Sequence, residues 1–163
     1  MANEATVQPL LSIGGEVEKP GTIAFADLAG IDAAHQVADL SRLVPGRQGD
    51  AVRLAGLLAL AGPKATARWL GLHASRDNFH ASIPLASVTD KALVIYRLAG
   101  EPLPETAGGP FRFFIPDFAV CQTHEIDECA NVKFVDRIEL TADKGFDNRP
   151  HDGAEHEALH AKE

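Results

Sequence analysis

Residues 67–84 read ARWLGLHASRDNFHASIP and predict the β-hairpin around which we expect the fold to be built. Two runs of aromatic and aliphatic residues flank Arg76-Asp77-Asn78, and Asp and Asn are residues that favour turns. We therefore expect paired strands over residues 67–75 and 79–84. Across this hairpin His73 and His80 are placed to face each other, each as a satisfied polar group near the surface.

Further strands are predicted on both sides of the hairpin. Residues 93–98 (LVIYRL) form a continuous apolar run, and residues 111–115 (FRFFI) form another. A first strand is expected within residues 10–17. A last strand is expected within residues 132–141, where it is entered through a turn.

Helices are predicted to be few and short. The clearest one follows Asp50, the predicted N-cap, and ends at Gly62; its apolar residues repeat at helical spacing and are Leu54, Leu57, Leu58 and Ala61. A second short helix is predicted over residues 23–28. Because strands dominate and the helices are scattered, the expected fold class is α+β and sheet-rich, rather than a doubly wound parallel sheet.

Composition limits the classes of function. The 163 residues carry a net charge of -8, which argues against nucleic acid as a partner, because phosphate binding requires clustered Lys and Arg. No apolar stretch approaches the roughly 20 residues of a membrane span. Residues 1–9 show no signal peptide, so a cytoplasmic location is expected. We expect one domain over residues 10–141 and a polar, flexible tail over residues 142–163.

Several segments, taken in order, resemble the molybdopterin-binding domain of the sulfite-oxidase-like oxidoreductases. Residues 11–20 (LSIGGEVEKP) resemble its first strand and turn, and residues 52–62 resemble the helix that follows its metal-binding loop. The other matching segments are residues 23–28, 75–85, 100–104, 108–112, 131–135 and 138–140. The resemblance covers roughly residues 10–141, and the order and spacing of the segments make it specific.

The resemblance implies a sulfite-oxidase-type α+β fold, a molybdenum atom on a pterin dithiolene with one cysteine thiolate ligand, and two-electron oxygen-atom transfer. The ligating cysteine is expected between His35 and Gly49, and no cysteine stands there. Asp39 and Ser41 offer oxygen ligands at that place, although thiolate is the softer ligand that suits such a centre. The segment that precedes the first strand is also shorter than the family pattern.

Three residues match cofactor-contacting positions of the family. Arg112 is suited to a pterin phosphate because its planar guanidinium makes paired hydrogen bonds. Lys133 supplies a point charge, and Asn131 can both donate and accept. The alternative interpretation is a solvent-facing strand arginine and a polar turn that enters the next strand.

Cys121, His124 and Cys129 lie in one loop-like segment and are the candidate metal ligands, with zinc as the candidate ion. Three ligands with this spacing match no standard zinc ribbon. A disulfide between the cysteines and free packed thiols are the alternatives. The tail also contains His156-Glu157-Ala158-Leu159-His160, the HExxH pattern of zinc proteases. We interpret it as a polar tail segment, because it lies at the chain end with little apolar surface around it.

Two classes of function follow from the sequence. The first is a divergent molybdopterin-dependent oxidoreductase-like domain that binds a pterin or another small anionic ligand, with a molybdenum centre that is lost or uses an unusual ligand such as Cys129. The second is a metal- or partner-binding module that reuses the fold through Cys121, His124 and Cys129. Fold alone does not choose between them.

Overall fold

The predicted hairpin lies at one side of a five-stranded sheet. The computed structural model describes residues 9–116 and 131–148. The strand order of this first sheet is β2-β1-β10-β5-β6, with β1 parallel to β10 and every other neighbouring pair antiparallel. Its strands are β1 (Leu10–Gly15), β2 (Gly21–Ala24), β5 (Trp69–Ala74), β6 (Phe79–Pro84) and β10 (Arg137–Thr141).

A second sheet is built on the apolar run at residues 93–98. The strand order is β3-β4-β7-β8, and β9 pairs with β7 as well. Its strands are β3 (Gln36–Val37), β4 (Asp50–Arg53), β7 (Leu93–Leu98), β8 (Glu101–Pro102) and β9 (Arg112–Phe114). The hairpin and the strands expected at residues 93–98 and 111–115 are therefore confirmed, and so is the sheet-rich α+β class.

Both faces of the second sheet are buried, because side chains alternate along each strand. Val94 and Tyr96 of β7 join the main core, which also contains Leu11 of β1 and Leu70 of β5 and therefore lies between the two sheets. The intervening β7 residues enter a smaller cluster on the other face, together with Leu40, Ala51, Leu103 and Phe114. This double burial explains why residues 93–98 read as a continuous apolar run.

Three short helices complete the described structure: α1 (Phe25–Ala29), α2 (Leu54–Ala61) and α3 (Leu85–Val88). The predicted apolar face of α2 is confirmed, since Leu54, Leu57, Leu58 and Ala61 are all buried. The predicted N-cap is wrong: Arg53 is the N-cap, and Asp50 begins strand β4. Asp50 instead accepts hydrogen bonds from the Asp39 N–H and from Arg97, so its carboxylate links the segment before β4 to β7. Within the described ranges, no helix is long and apolar enough to cross a membrane.

The chain beyond β10 runs along the outer edge of β6. Ser82 lies at the centre of this contact, where its N–H donates to Asp147 Oδ2 and its Oγ accepts from the Gly145 N–H, both at 2.9 Å. Asn148 Oδ1 accepts from the His80 N–H at 2.8 Å. These contacts extend beyond residue 141, where the sequence predicts the domain to end, and that boundary stays a prediction.

Candidate functional site

A surface cleft of about 500 Å³ lies beside the loop that leads into β4. The resemblance places a metal-ligating cysteine in this loop. Asp39 opens one side of the cleft in a left-handed backbone conformation, with φ of 55°, and its N–H donates to Asp50 Oδ1 at 2.8 Å. The cleft is lined by Asp39, Ser41, Gly46, Gln48, Gly49, Asp50, Leu98, Ala99 and Gly100.

The polar side chains of this cleft bind to one another. Ser41 Oγ donates to Asp39 Oδ1, and Arg42 Nε lies 3.7 Å from Asp39 Oδ2. Arg97 Nε donates to Asp50 Oδ2 at 2.8 Å. Burial by itself would raise the pKa of the Asp50 carboxyl, but the Asp39 N–H and the Arg97 guanidinium outweigh it and hold that pKa below 3.8. The cleft therefore presents carboxylate and hydroxyl oxygens.

Arg112, the predicted cofactor contact at the start of β9, is half-buried. Its Nη1 donates to the Ala107 carbonyl at 3.3 Å. Its Nε is buried without a hydrogen-bond partner among residues 9–116 and 131–148. Burial lowers the pKa of Arg112, and the positive charge of Arg47 lowers it further. Within these residues, an arginine that is desolvated, incompletely bonded and close to a second cation lacks an anionic partner.

Lys133 lies against the same turn as Arg112. A Cβ built on Gly108, which has a φ of 92°, would come within 3.0 Å of Arg112 Cδ and 3.1 Å of Lys133 Cγ. Arg47 completes the group from the cleft loop, with its guanidinium 4.7 Å from the centre of the Phe114 ring. We call Arg47, Arg112 and Lys133 the basic cluster. The fold thus gathers three cations from three segments in a chain whose net charge is -8.

Asn131, the third predicted contact, has a structural partner. Its Oδ1 accepts from the Ile115 N–H at 2.8 Å, just beyond the end of β9. The side chain therefore ties the closing segment to the end of β9, the strand that carries Arg112. Arg47 was missed by sequence reasoning, because the sequence around it indicates only a loop and gives no sign that the loop folds over Phe114.

The predicted metal ligands Cys121, His124 and Cys129, like the HExxH pattern at 156–160, lie outside the described residues. Within residues 9–116 and 131–148, no three His, Cys, Asp or Glu side chains are grouped closely enough to hold a metal ion. Zinc binding therefore stays a prediction from the sequence.

Comparison with known proteins identifies the family. Residues 50–148 match the oxidoreductase molybdopterin binding domain. The chain belongs to this family. The matched range begins at β4, includes Arg112 and Lys133, and ends with the segment that lies along β6. It leaves out the cleft loop that carries Asp39 and Arg47.

A solved structure supports the same relationship over more of the chain. The sulfane dehydrogenase SoxCD from Paracoccus pantotrophus is 25% identical to this chain and superimposes with a TM-score of 0.61. The match covers 83% of this chain but only 39% of that one, so this chain corresponds to well under half of it. No curated protein matches the sequence.

The family implies a molybdenum cofactor, and the residues present fit only part of it. The buried, partnerless Nε of Arg112 beside two further cations suits an anionic group such as a pterin phosphate. The cleft loop does not suit the metal, because its donors are the Asp39 carboxylate and the Ser41 hydroxyl, and no thiol stands between His35 and Gly49. A thiolate-bound molybdenum therefore does not fit this loop.

Proposed function

We propose that this domain binds a pterin phosphate, or a small anion of the same kind, through Arg112 and Lys133, and that it lacks a competent centre for oxygen-atom transfer. The observation that carries the proposal is the buried Arg112 Nε, which has no hydrogen-bond partner in the part of the chain that the structure describes. Family membership supplies the class of ligand, and the basic cluster supplies the binding chemistry.

The energetics of Arg112 favour a bound anion. A buried donor without a partner costs about 1–3 kcal/mol, and more when it is charged. Nearby Arg47 adds repulsion to this cost. An anion placed against Arg112 and Lys133 would accept the missing hydrogen bond and offset both charges. Gly108 lets the Arg112 and Lys133 side chains pack closely against its turn, since a Cβ there would lie 3.0 Å from Arg112 Cδ and 3.1 Å from Lys133 Cγ.

The cleft loop supports the second half of the proposal. Asp39 and Ser41, the oxygen ligands predicted for the expected ligand position, already bind each other. Asp39 is also engaged through its backbone N–H with Asp50. Carboxylate and hydroxyl oxygens are hard donors, whereas this type of centre is tuned by a soft thiolate.

The test is to purify the full chain, untagged, from a host that makes the molybdenum cofactor, and to measure bound pterin, molybdenum and zinc. Pterin is detected by fluorescence after oxidation, and the metals by elemental analysis. We expect bound pterin with far less than one molybdenum per chain. Arg112→Gln should lose the pterin. Arg68→Gln, which removes an exposed arginine, should keep it and serves as the matched control.

Other outcomes would identify the competing functions. Stoichiometric molybdenum would overturn the second half of the proposal and indicate a molybdoenzyme with an unusual ligand, to be sought with Cys129→Ala, Asp39→Ala and Ser41→Ala. Zinc without pterin, retained in Arg112→Gln and lost in Cys121→Ser and Cys129→Ser, would instead establish the metal-binding module. Pterin binding that is unchanged in Arg112→Gln would refute the role of the basic cluster.

A further inference from the structure

His73 and His80 form a close pair on the hairpin of the first sheet, whereas Arg112 of the basic cluster lies on β9 of the second sheet. They are directly opposite in the β5–β6 register, and their Nδ1 atoms lie 2.8 Å apart. Each outer nitrogen meets an oxygen: His73 Nε2 lies 3.1 Å from Glu139 Oε1, and His80 Nε2 lies 3.0 Å from Asn78 Oδ1.

The Nδ1–Nδ1 contact limits where protons can lie on the two rings. Two Nδ1 atoms at 2.8 Å repel each other unless one carries a proton and donates it to the other. The contact therefore requires one proton between the two Nδ1 atoms, and a proton on each Nδ1 atom would break it. On the outer side of the pair, His73 Nε2 lies 3.1 Å from the Glu139 carboxylate.

The same histidine pair borders the chain segment that covers the edge of β6. The Phe146 ring lies 4.8 Å from the His80 ring. Two hydrogen bonds join Asn148 to His80: the His80 N–H donates to Asn148 Oδ1, and the Asn148 N–H donates to the His80 carbonyl at 2.9 Å. Asn148 Nδ2 also donates to the Asn78 carbonyl at 2.7 Å. Residues 145–148 are therefore held at the position of the His80 ring.

We propose that the His73–His80 pair is a pH-sensitive latch: it holds residues 145–148 on β6 while one proton lies between the two Nδ1 atoms, and releases them when both Nδ1 atoms are protonated. A second proton on Nδ1 would set N–H against N–H at a separation that suits a hydrogen bond. The rings must then move apart. His80 is the ring that moves, because its other contacts are Asn78, on an exposed turn, and Phe146, which is itself largely exposed.

The charges around the pair set the direction of the pH dependence. Burial lowers the pKa of His80, the charge on His73 lowers it further, and Asp136 opposes both. Glu139, with Arg137 bound to it, faces His73 from β10, and Asp147 of the covering segment accepts from the Ser82 N–H. Because the His80 pKa is below its ordinary 6.5 in the folded state, the stabilisation is complete above that pH and is lost as the pH falls through the lowered value.

The test follows the covering segment by NMR in the full chain between pH 7.5 and pH 5, a range above the titration of ordinary carboxylates. Amide exchange of Gly145 and Asn148, corrected for its intrinsic pH dependence, reports whether the segment is attached. We expect its protection to fall roughly tenfold or more as the pH is lowered. In His73→Gln, the protection should not change with pH, because the uncharged glutamine amide can either donate to or accept from His80 Nδ1. His156→Gln should behave as the unaltered chain.

The unaltered chain also provides a test that needs no variant. Imidazole ¹⁵N shifts at pH 7.5 should show one proton shared between the two Nδ1 atoms. Two Nδ1 atoms that are both protonated, or both unprotonated, at pH 7.5 would overturn the proposal. So would protection that is constant between pH 7.5 and pH 5, or the same acid release in His73→Gln, which would assign the release to other groups.

Discussion

At the scale of single residues, Asp50 shows how one carboxylate joins the two segments that border the cleft. Its two oxygens accept from the Asp39 N–H and from Arg97, and both charged side chains are only about one quarter exposed, at 24% and 27%. A partly buried pair of this geometry is stronger than an exposed one. Asp50 therefore holds the cleft loop against β7.

We expect Asp50→Asn to destabilise the fold by about 1–2 kcal/mol at pH 7, since it leaves Arg97 with a weaker, neutral acceptor. The Asp50 pKa is lowered in the folded state, so its stabilisation is present above the ordinary 3.8 and is lost as the pH falls through the lowered value. Urea unfolding at pH 7 and pH 3 measures the difference, which should shrink at pH 3. Asp90→Asn, at an exposed residue, is the control. An equal loss at both pH values would contradict the ion-pair explanation.

The residue scale also shows where sequence reasoning fails. Asp50 was predicted to be the N-cap of α2, because a helix-capping residue stands just before a helical repeat. The structure instead places Asp50 at the start of β4, and the four residues of this strand are too few to show its alternation. The meeting of Arg47, Arg112 and Lys133 depends on a loop fold and on sheet pairing, neither of which leaves a local pattern.

At the scale of elements, local patterns predict well, and pairing between distant segments does not follow from them. The α2 face and the β5–β6 hairpin were predicted correctly, because each is specified by residues close together in sequence. The parallel pairing of β1 with β10 joins Ser12 to Arg137, and no periodicity in either strand selects the other. The family resemblance, rather than any single pattern, relates these two segments.

The pairing of β1 with β10 requires a residue without a Cβ at position 15, where Gly15 stands. A Cβ there would lie 2.0 Å from the Leu140 carbonyl oxygen, and φ is 84°. We expect Gly15→Ala to cost about 2–4 kcal/mol, from overpacking and left-handed strain together. Gly14→Ala is the matched control, because nothing lies within 4 Å of its Cβ. Urea unfolding compares the two variants, and equal stability would show that β10 is not held as described.

The burial of α2 provides a second prediction at this scale. Leu57 is fully buried, whereas Leu60 on the same helix is 41% exposed. We expect Leu57→Ala to destabilise by about 2–5 kcal/mol, and Leu60→Ala to change stability by well under half of that. Thermal or urea unfolding of both variants measures the difference. Similar losses at the two positions would mean that α2 packs with a different face.

At the scale of the whole molecule, we expect the folded domain to end with the segment that lies along the edge of β6. Residues 142–163 were predicted to be a tail because they are polar and lack a core-forming pattern. Hydrogen bonding gives a different criterion for where the domain ends. Gly145, Asp147 and Asn148 form hydrogen bonds with Ser82 and with the His80 backbone. The family match also ends at residue 148.

This criterion predicts that a chain shortened to residues 1–148 is as stable as the full chain, whereas one shortened to residues 1–141 is not. Removal of residues 142–148 takes partners from Ser82 and from both backbone polar groups of His80. At roughly 0.5–1.5 kcal/mol for each lost hydrogen bond, the expected cost is about 2–4 kcal/mol. Urea unfolding of the three chains at pH 7.5, where the histidine latch is closed, makes the comparison. Equal stability of all three would place the boundary at residue 141, because the water that replaces residues 145–148 would then satisfy β6 equally well.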